Sequence, residues 1–90
     1  MPSKTVTVGS AVGLHARPAA IISAAAVTAG VPVTLSLDGG EPVDAGSALM
    51  IMTLGAGKNA RVTVETVDEA VLAMIADLVE KDLSEKDPDA

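Results

Sequence analysis

The residues best suited to covalent chemistry lie together in Gly13-Leu14-His15-Ala16-Arg17-Pro18-Ala19, which holds the only histidine of the chain and one of its two arginines. Pro18 has no backbone N–H to donate, so it fits the first turn of a helix, where that donor has no intrahelical partner. His15 then falls at or just before that turn. Unsatisfied N–H groups and the positive end of the helix dipole favour an anion there. Arg17 adds a permanently charged fork that matches phosphate oxygens. An imidazole attacks only through an unprotonated nitrogen, and a positive helix end with a guanidinium nearby favours the uncharged ring. After transfer, the Ala16 and Arg17 amides and the Arg17 side chain can partly neutralise the phosphoryl dianion. Residues 11–19 contain no Ser, Cys, Asp or Glu to complete a hydrolytic triad. One histidine without cysteines also gives no usual zinc set, and no metal or other cofactor is expected. The chemistry this pattern points to is a histidine that takes up a phosphoryl group and gives it away again.

Such a site needs a helix to aim at the anion and a sheet to hold the helix. Residues 4–8 alternate polar and apolar types and read as a strand, followed by a loop at 9–14. The alanine-rich stretch 16–29 reads as a helix, with Gly30 as its C-terminal cap. A second strand is expected at 31–37, then a turn at Asp38-Gly39-Gly40 and a short edge strand at 41–44, where Pro42 cannot join a ladder fully. Ser47 is placed to cap a short helix over 48–54, ended by Gly55. Ile51 and Leu54 are its core candidates. A loop at 55–59 leads to a strand at 61–65, and Thr66-Val67-Asp68-Glu69 has the capping-box pattern. The helix after it, to about Leu83, carries Val71, Leu72, Ile75, Leu78 and Val79 at core spacing. The order β-α-β-β-α-β-α predicts an α+β, two-layer open-faced sandwich: a mainly antiparallel four-stranded sheet with three helices on one face. Strand order is not encoded in this pattern.

Ninety residues make one small domain. The chain is 49% hydrophobic yet has no Phe, Trp or Tyr, so its core must be built from Val, Leu, Ile, Met and Ala. No apolar run approaches the ~20 residues of a membrane span, and residues 1–4 lack a signal peptide's apolar segment. With no cysteine, these features lead to the expectation of a cytoplasmic protein without membrane insertion. A net charge of -6 disfavours general nucleic-acid binding. The acids are unevenly placed: residues 1–37 have none, and nine of the twelve fall from Glu65 onward. An acidic partner could therefore approach the His15 region without like-charge repulsion.

The segment from Gly13 to Ala19 resembles the active-site signature of the HPr family, histidine-containing phosphocarriers of the bacterial phosphoenolpyruvate-dependent sugar phosphotransferase system. The spacing from His15 to Asp38-Gly39-Gly40, to Ser47 and to Met52-Thr53-Leu54-Gly55 is also similar to that family. The resemblance spans residues 1–84, leaving 85–90 as an acidic tail expected to be flexible. It implies a monomer that is not an autonomous enzyme. Phospho-enzyme I would transfer its phosphoryl group to Nδ1 of His15, with Arg17 as electrostatic partner and the Ala16 and Arg17 amides as donors. A sugar permease A domain would then accept the group. The resemblance assigns docking to Leu49 and Met52, and makes Ser47 a target for a regulatory serine kinase, with a transcriptional regulator as a further partner. Ala16, Ala20 and Ala24, one turn apart on the first helix, offer a flat surface for a partner, and Ala48 is expected to join the docking surface. The chain departs from many relatives in having Val12 where a polar side chain is common, Gly46 before the serine, and no lysines along the first helix. Two other readings are a carrier of the nitrogen-related phosphotransferase branch, and an interaction module that works through its apolar patch and Ser47 without His15.

Overall fold

The computed structural model describes residues 2–9 and 13–81. Its elements are β1 (Ser3–Thr7), α1 (Ala16–Ala29), β2 (Val33–Leu37), β3 (Val43–Asp44), α2 (Ala48–Thr53), β4 (Arg61–Thr66) and α3 (Glu69–Glu80). The two-residue period of a strand decides which side chains enter the core. In β4, Val62, Val64 and Thr66 are buried while the residues between them are not. The same alternation buries Val6 of β1 and Val33 and Leu35 of β2. The sheet runs in the order β1-β4-β2-β3, and every neighbouring pair is antiparallel. Val6 lies opposite Val62, and Leu35 opposite Val64, so the apolar rows of three strands meet on one face. On the other face the hydroxyls of Thr5 and Thr63 hydrogen-bond at 2.8 Å.

The three helices cover the apolar face. α1 buries Pro18, Ala19, Ile22 and Ala26, spaced about one turn apart, and small alanines there allow close approach to its neighbours. Ile22, Leu35, Ile51 and Ile75 are among the largest fully buried side chains. Each is worth roughly 1.5–3 kcal/mol of burial. Gly30 ends α1 with φ of 75°, and its N–H reaches the Val27 carbonyl at 3.2 Å. That left-handed cap is what glycine permits most cheaply. Among the described residues, no helix is long and apolar enough to cross a membrane.

The fold matches the expected element order, and α1 keeps its expected bounds. Several details differ. β2 begins at Val33 rather than 31, because Pro32 has no N–H for the ladder. β3 shrinks to Val43–Asp44, beyond Pro42. The first strand is displaced by one residue to Ser3–Thr7, although Val8 is buried and still donates to the Ala60 carbonyl at 2.9 Å. Thr66 does not cap α3. It ends β4, fully buried, and its hydroxyl donates to the Pro32 carbonyl at 2.7 Å. Asp68 is the cap instead, its carboxylate accepting from the Ala70 and Val71 amides at 2.8 and 3.1 Å. α3 ends at Glu80, where Lys81 turns to extended backbone. Leu72, Ile75 and Val79 are buried as expected, Val71 and Leu78 only half-buried, and Ala76 joins them. Leu83 and the tail at 85–90 lie outside the described residues, as does Val12.

Candidate functional site

The site is built on the start of α1. His15 is the N-cap, with extended backbone (φ -89°, ψ -164°), and its carbonyl accepts the Ala19 amide at 2.8 Å. The imidazole makes no capping hydrogen bond to the helix, and the residue is exposed. Ala16 and Arg17 follow in the first turn, both exposed. Pro18 occupies the third helical position and is fully buried. One proline thus both suits the first turn and anchors it to the core.

The other two helices fill their N-termini from within. Ser47 of α2 accepts the Met50 amide at 3.3 Å, and Asp68 caps α3 with Glu69 in its first turn. α1 has no acid in its first turn and no side-chain cap. Among the described residues, no acid or capping side chain offsets the positive end of its 14-residue dipole, which begins at the exposed His15 and Arg17. An anion attached to His15 would meet that field directly.

What holds the histidine in place was not legible in the motif. Leu14 is buried, and its amide donates to the Ala56 carbonyl at 2.9 Å. Gly13 has φ of 75°, and a Cβ there would lie 2.3 Å from the Ala56 oxygen. The loop after α2 thus grips the two residues before His15. The contrast with Gly30 gives a test, because Gly30 has the same φ but nothing within 4 Å of an added Cβ. Gly30→Ala is expected to cost about 1 kcal/mol of stability for left-handed backbone alone. Gly13→Ala should cost at least about 2 kcal/mol, since overlap with the Ala56 carbonyl is added. Urea unfolding measures both, and equal losses would mean that the close approach does not hold the loop.

α2 packs against α1. Leu49 and Met50 are 69% and 41% exposed, whereas Met52 is half-buried against the core. The apolar pair presented to solvent is therefore Leu49 with Met50, not Leu49 with Met52. Ile51 is fully buried and Leu54 half-buried, so the core side of this short helix is as expected for the first and weaker for the second. Ala16, Ala20 and Ala24 are exposed along α1, and Ala48 is half-buried.

An open antiparallel sheet backed by three helices, with an exposed histidine at the start of the first helix, is the arrangement to set beside known proteins. Residues 2–81 match the family model described as the PTS HPr component phosphorylation site. The chain is 42% identical over 88 residues to phosphocarrier protein HPr of Streptomyces coelicolor, covering 94% of this chain and 95% of that protein. It superposes on the crystal structure of phosphocarrier protein HPr from Bacillus anthracis with a TM-score of 0.80 and 32% identity, covering 87% and 95% of the two chains. For HPr-C-His from Thermoanaerobacter tengcongensis the values are 0.83 and 28%, covering 93% and 97%. The chain belongs to the HPr family, the phosphocarriers of the phosphotransferase system.

Proposed function

We propose that His15 accepts a phosphoryl group from phospho-enzyme I in the cytoplasm and passes it to the A domains of sugar permeases. An unprotonated ring nitrogen, Nδ1 in the family, attacks phosphorus. The bond from phosphorus to the donor breaks, its electron pair returns to the donor, and no water is consumed. The reverse arrangement delivers the group to the acceptor. The observation that carries this reading is the exposed imidazole at the one helix, among the three described, whose N-terminus has no side-chain cap and no acid. Arg17 and the first-turn amides neutralise the bound dianion, and solvent keeps that hold loose enough for release. Such a protein is a substrate of enzyme I rather than a catalyst of its own.

Docking falls to α1 and α2, where exposed alanines give a flat low-entropy surface and Leu49 and Met50 give an apolar anchor. Leu49→Ala is expected to raise the KM for enzyme I about 10-fold with an unchanged unfolding midpoint. An unchanged KM would remove α2 from the docking surface. A kinase-added phosphate on Ser47 would place negative charge at the start of α2 and weaken approach of an acidic donor. Incubation with enzyme I and labelled phosphoenolpyruvate tests the whole reading. An acid-labile phosphoryl group should form and be discharged by a sugar-permease A domain. Discharge only to nitrogen-branch A domains would move the protein to that branch, and absence of any adduct would overturn the carrier role.

A further inference from the structure

The turn at residues 57–60 closes the base of the loop that leads to His15. Its Ala60 amide donates to the Gly57 carbonyl at 3.1 Å, and Asn59 adopts φ of 69° at its third position. Both sides of the loop are tied to residues 56–60. Before the loop, the Val8 carbonyl accepts the Asn59 amide at 2.9 Å; after it, the Leu14 amide donates to Ala56 at 2.9 Å. A Cβ on Gly13 would lie 2.8 Å from the Gly57 Cα, so the two backbones are in contact. Lys58 follows Gly57 directly, and Gly13 stands two residues before His15.

Lys58 is exposed at the second position of this turn. An extended lysine stem carries its ammonium about 6 Å from Cα, enough to cover the ground between adjoining loops. The end of α3, with Glu80 and Lys81, packs on Gly9 at the far end of the loop, whereas the two segments that grip its near end carry no acid. Residues 13–29 and 45–64, which the Leu14–Ala56 bond and the α1–α2 packing bring together, contain Arg17, Lys58 and Arg61 and no acid. Arg61 precedes the buried Val62 in β4 and so belongs to the open face of the sheet, opposite the helices. Of these cations, Lys58 is the one carried by the turn whose neighbours Ala56 and Gly57 touch Leu14 and Gly13.

We propose that Lys58 is a second phosphate-binding cation, whose ammonium approaches the phosphoryl group on His15 and shares its charge with Arg17. The assignment rests on His15 being the phosphoryl acceptor. A compact ammonium on a flexible stem suits a group in transit, because it follows the phosphoryl oxygens without fixing their orientation as a guanidinium fork does. With two cations of different rigidity, the site neutralises the dianion and still releases it.

The test uses the isolated full chain, phosphorylated by enzyme I and then separated from it, so that docking cannot contribute. The phosphoryl 31P shift is titrated with pH in the parent, in Lys58→Met and in Lys58→Arg. A cation near the oxygens favours the dianion, so its removal should raise the titration midpoint by about half a pH unit in Lys58→Met, and Lys58→Arg should restore it. An unchanged midpoint in Lys58→Met overturns the proposal. So does a variant that loses only its salt-dependent rate with enzyme I while keeping the midpoint, because that lysine would steer the partner and not touch the phosphoryl group. If the parent forms no phosphohistidine, the failure lies instead with the reading of His15.

Discussion

A His15→Ala chain incubated with phosphoenolpyruvate and enzyme I stays unlabelled, while its circular dichroism and unfolding midpoint match those of the parent. The two halves of this expectation have separate physical grounds. No other imidazole exists in the chain to take the group. The fold survives because the His15 side chain is exposed and makes no capping bond, so its removal empties no core space and leaves no buried partner unsatisfied. The backbone role of residue 15, accepting the Ala19 amide, is kept by alanine. Stability should therefore shift by no more than about 0.5 kcal/mol. Labelling that persisted in this variant would place the acceptor elsewhere.

Arg17→Ala carries the next largest effect. A preorganised charge at a developing anion is commonly worth ~2.7–4 kcal/mol, or about 100- to 1000-fold in rate. Arg17 is exposed in the unbound protein, where water screens its field. Docking of a partner over α1 would remove that water and strengthen the interaction at the moment of transfer. The loss should thus appear in the transfer rate measured by rapid quench, with little change in affinity for unphosphorylated enzyme I. Arg17→Lys should recover part of it, since the charge remains but the two-pronged geometry does not. A rate within about threefold of the parent in Arg17→Ala would mean that helix amides and Lys58 suffice without it.

α1 was readable to the residue because its signals are local: Pro18 in the first turn, a run of alanines, and Gly30 at the end. The exposed histidine at its start could be placed for the same reason. Features that depend on distant partners were hidden. Thr66 looks like a helix cap until β4 is paired with β2 and its hydroxyl finds Pro32, leaving Asp68 to cap α3. In α2, six residues make fewer than two turns, too few for periodicity to decide whether Met50 or Met52 faces solvent. The grip of Ala56 and Gly57 on Gly13 and Leu14 joins segments more than forty residues apart in sequence. The glycine two residues before the histidine was its one local trace, and a glycine alone does not say what comes close to it. Strand order was likewise set by pairings that no single segment contains.

The claim on which the rest depends is that the imidazole of residue 15 takes the phosphoryl group. The most direct measurement is 15N–31P heteronuclear NMR of the chain, labelled in its histidine and phosphorylated by enzyme I. The account predicts one phosphorus coupled to Nδ1 of His15 and no other modified residue. Phosphorus found on a serine oxygen, or an imidazole spectrum unchanged after complete labelling, would contradict it.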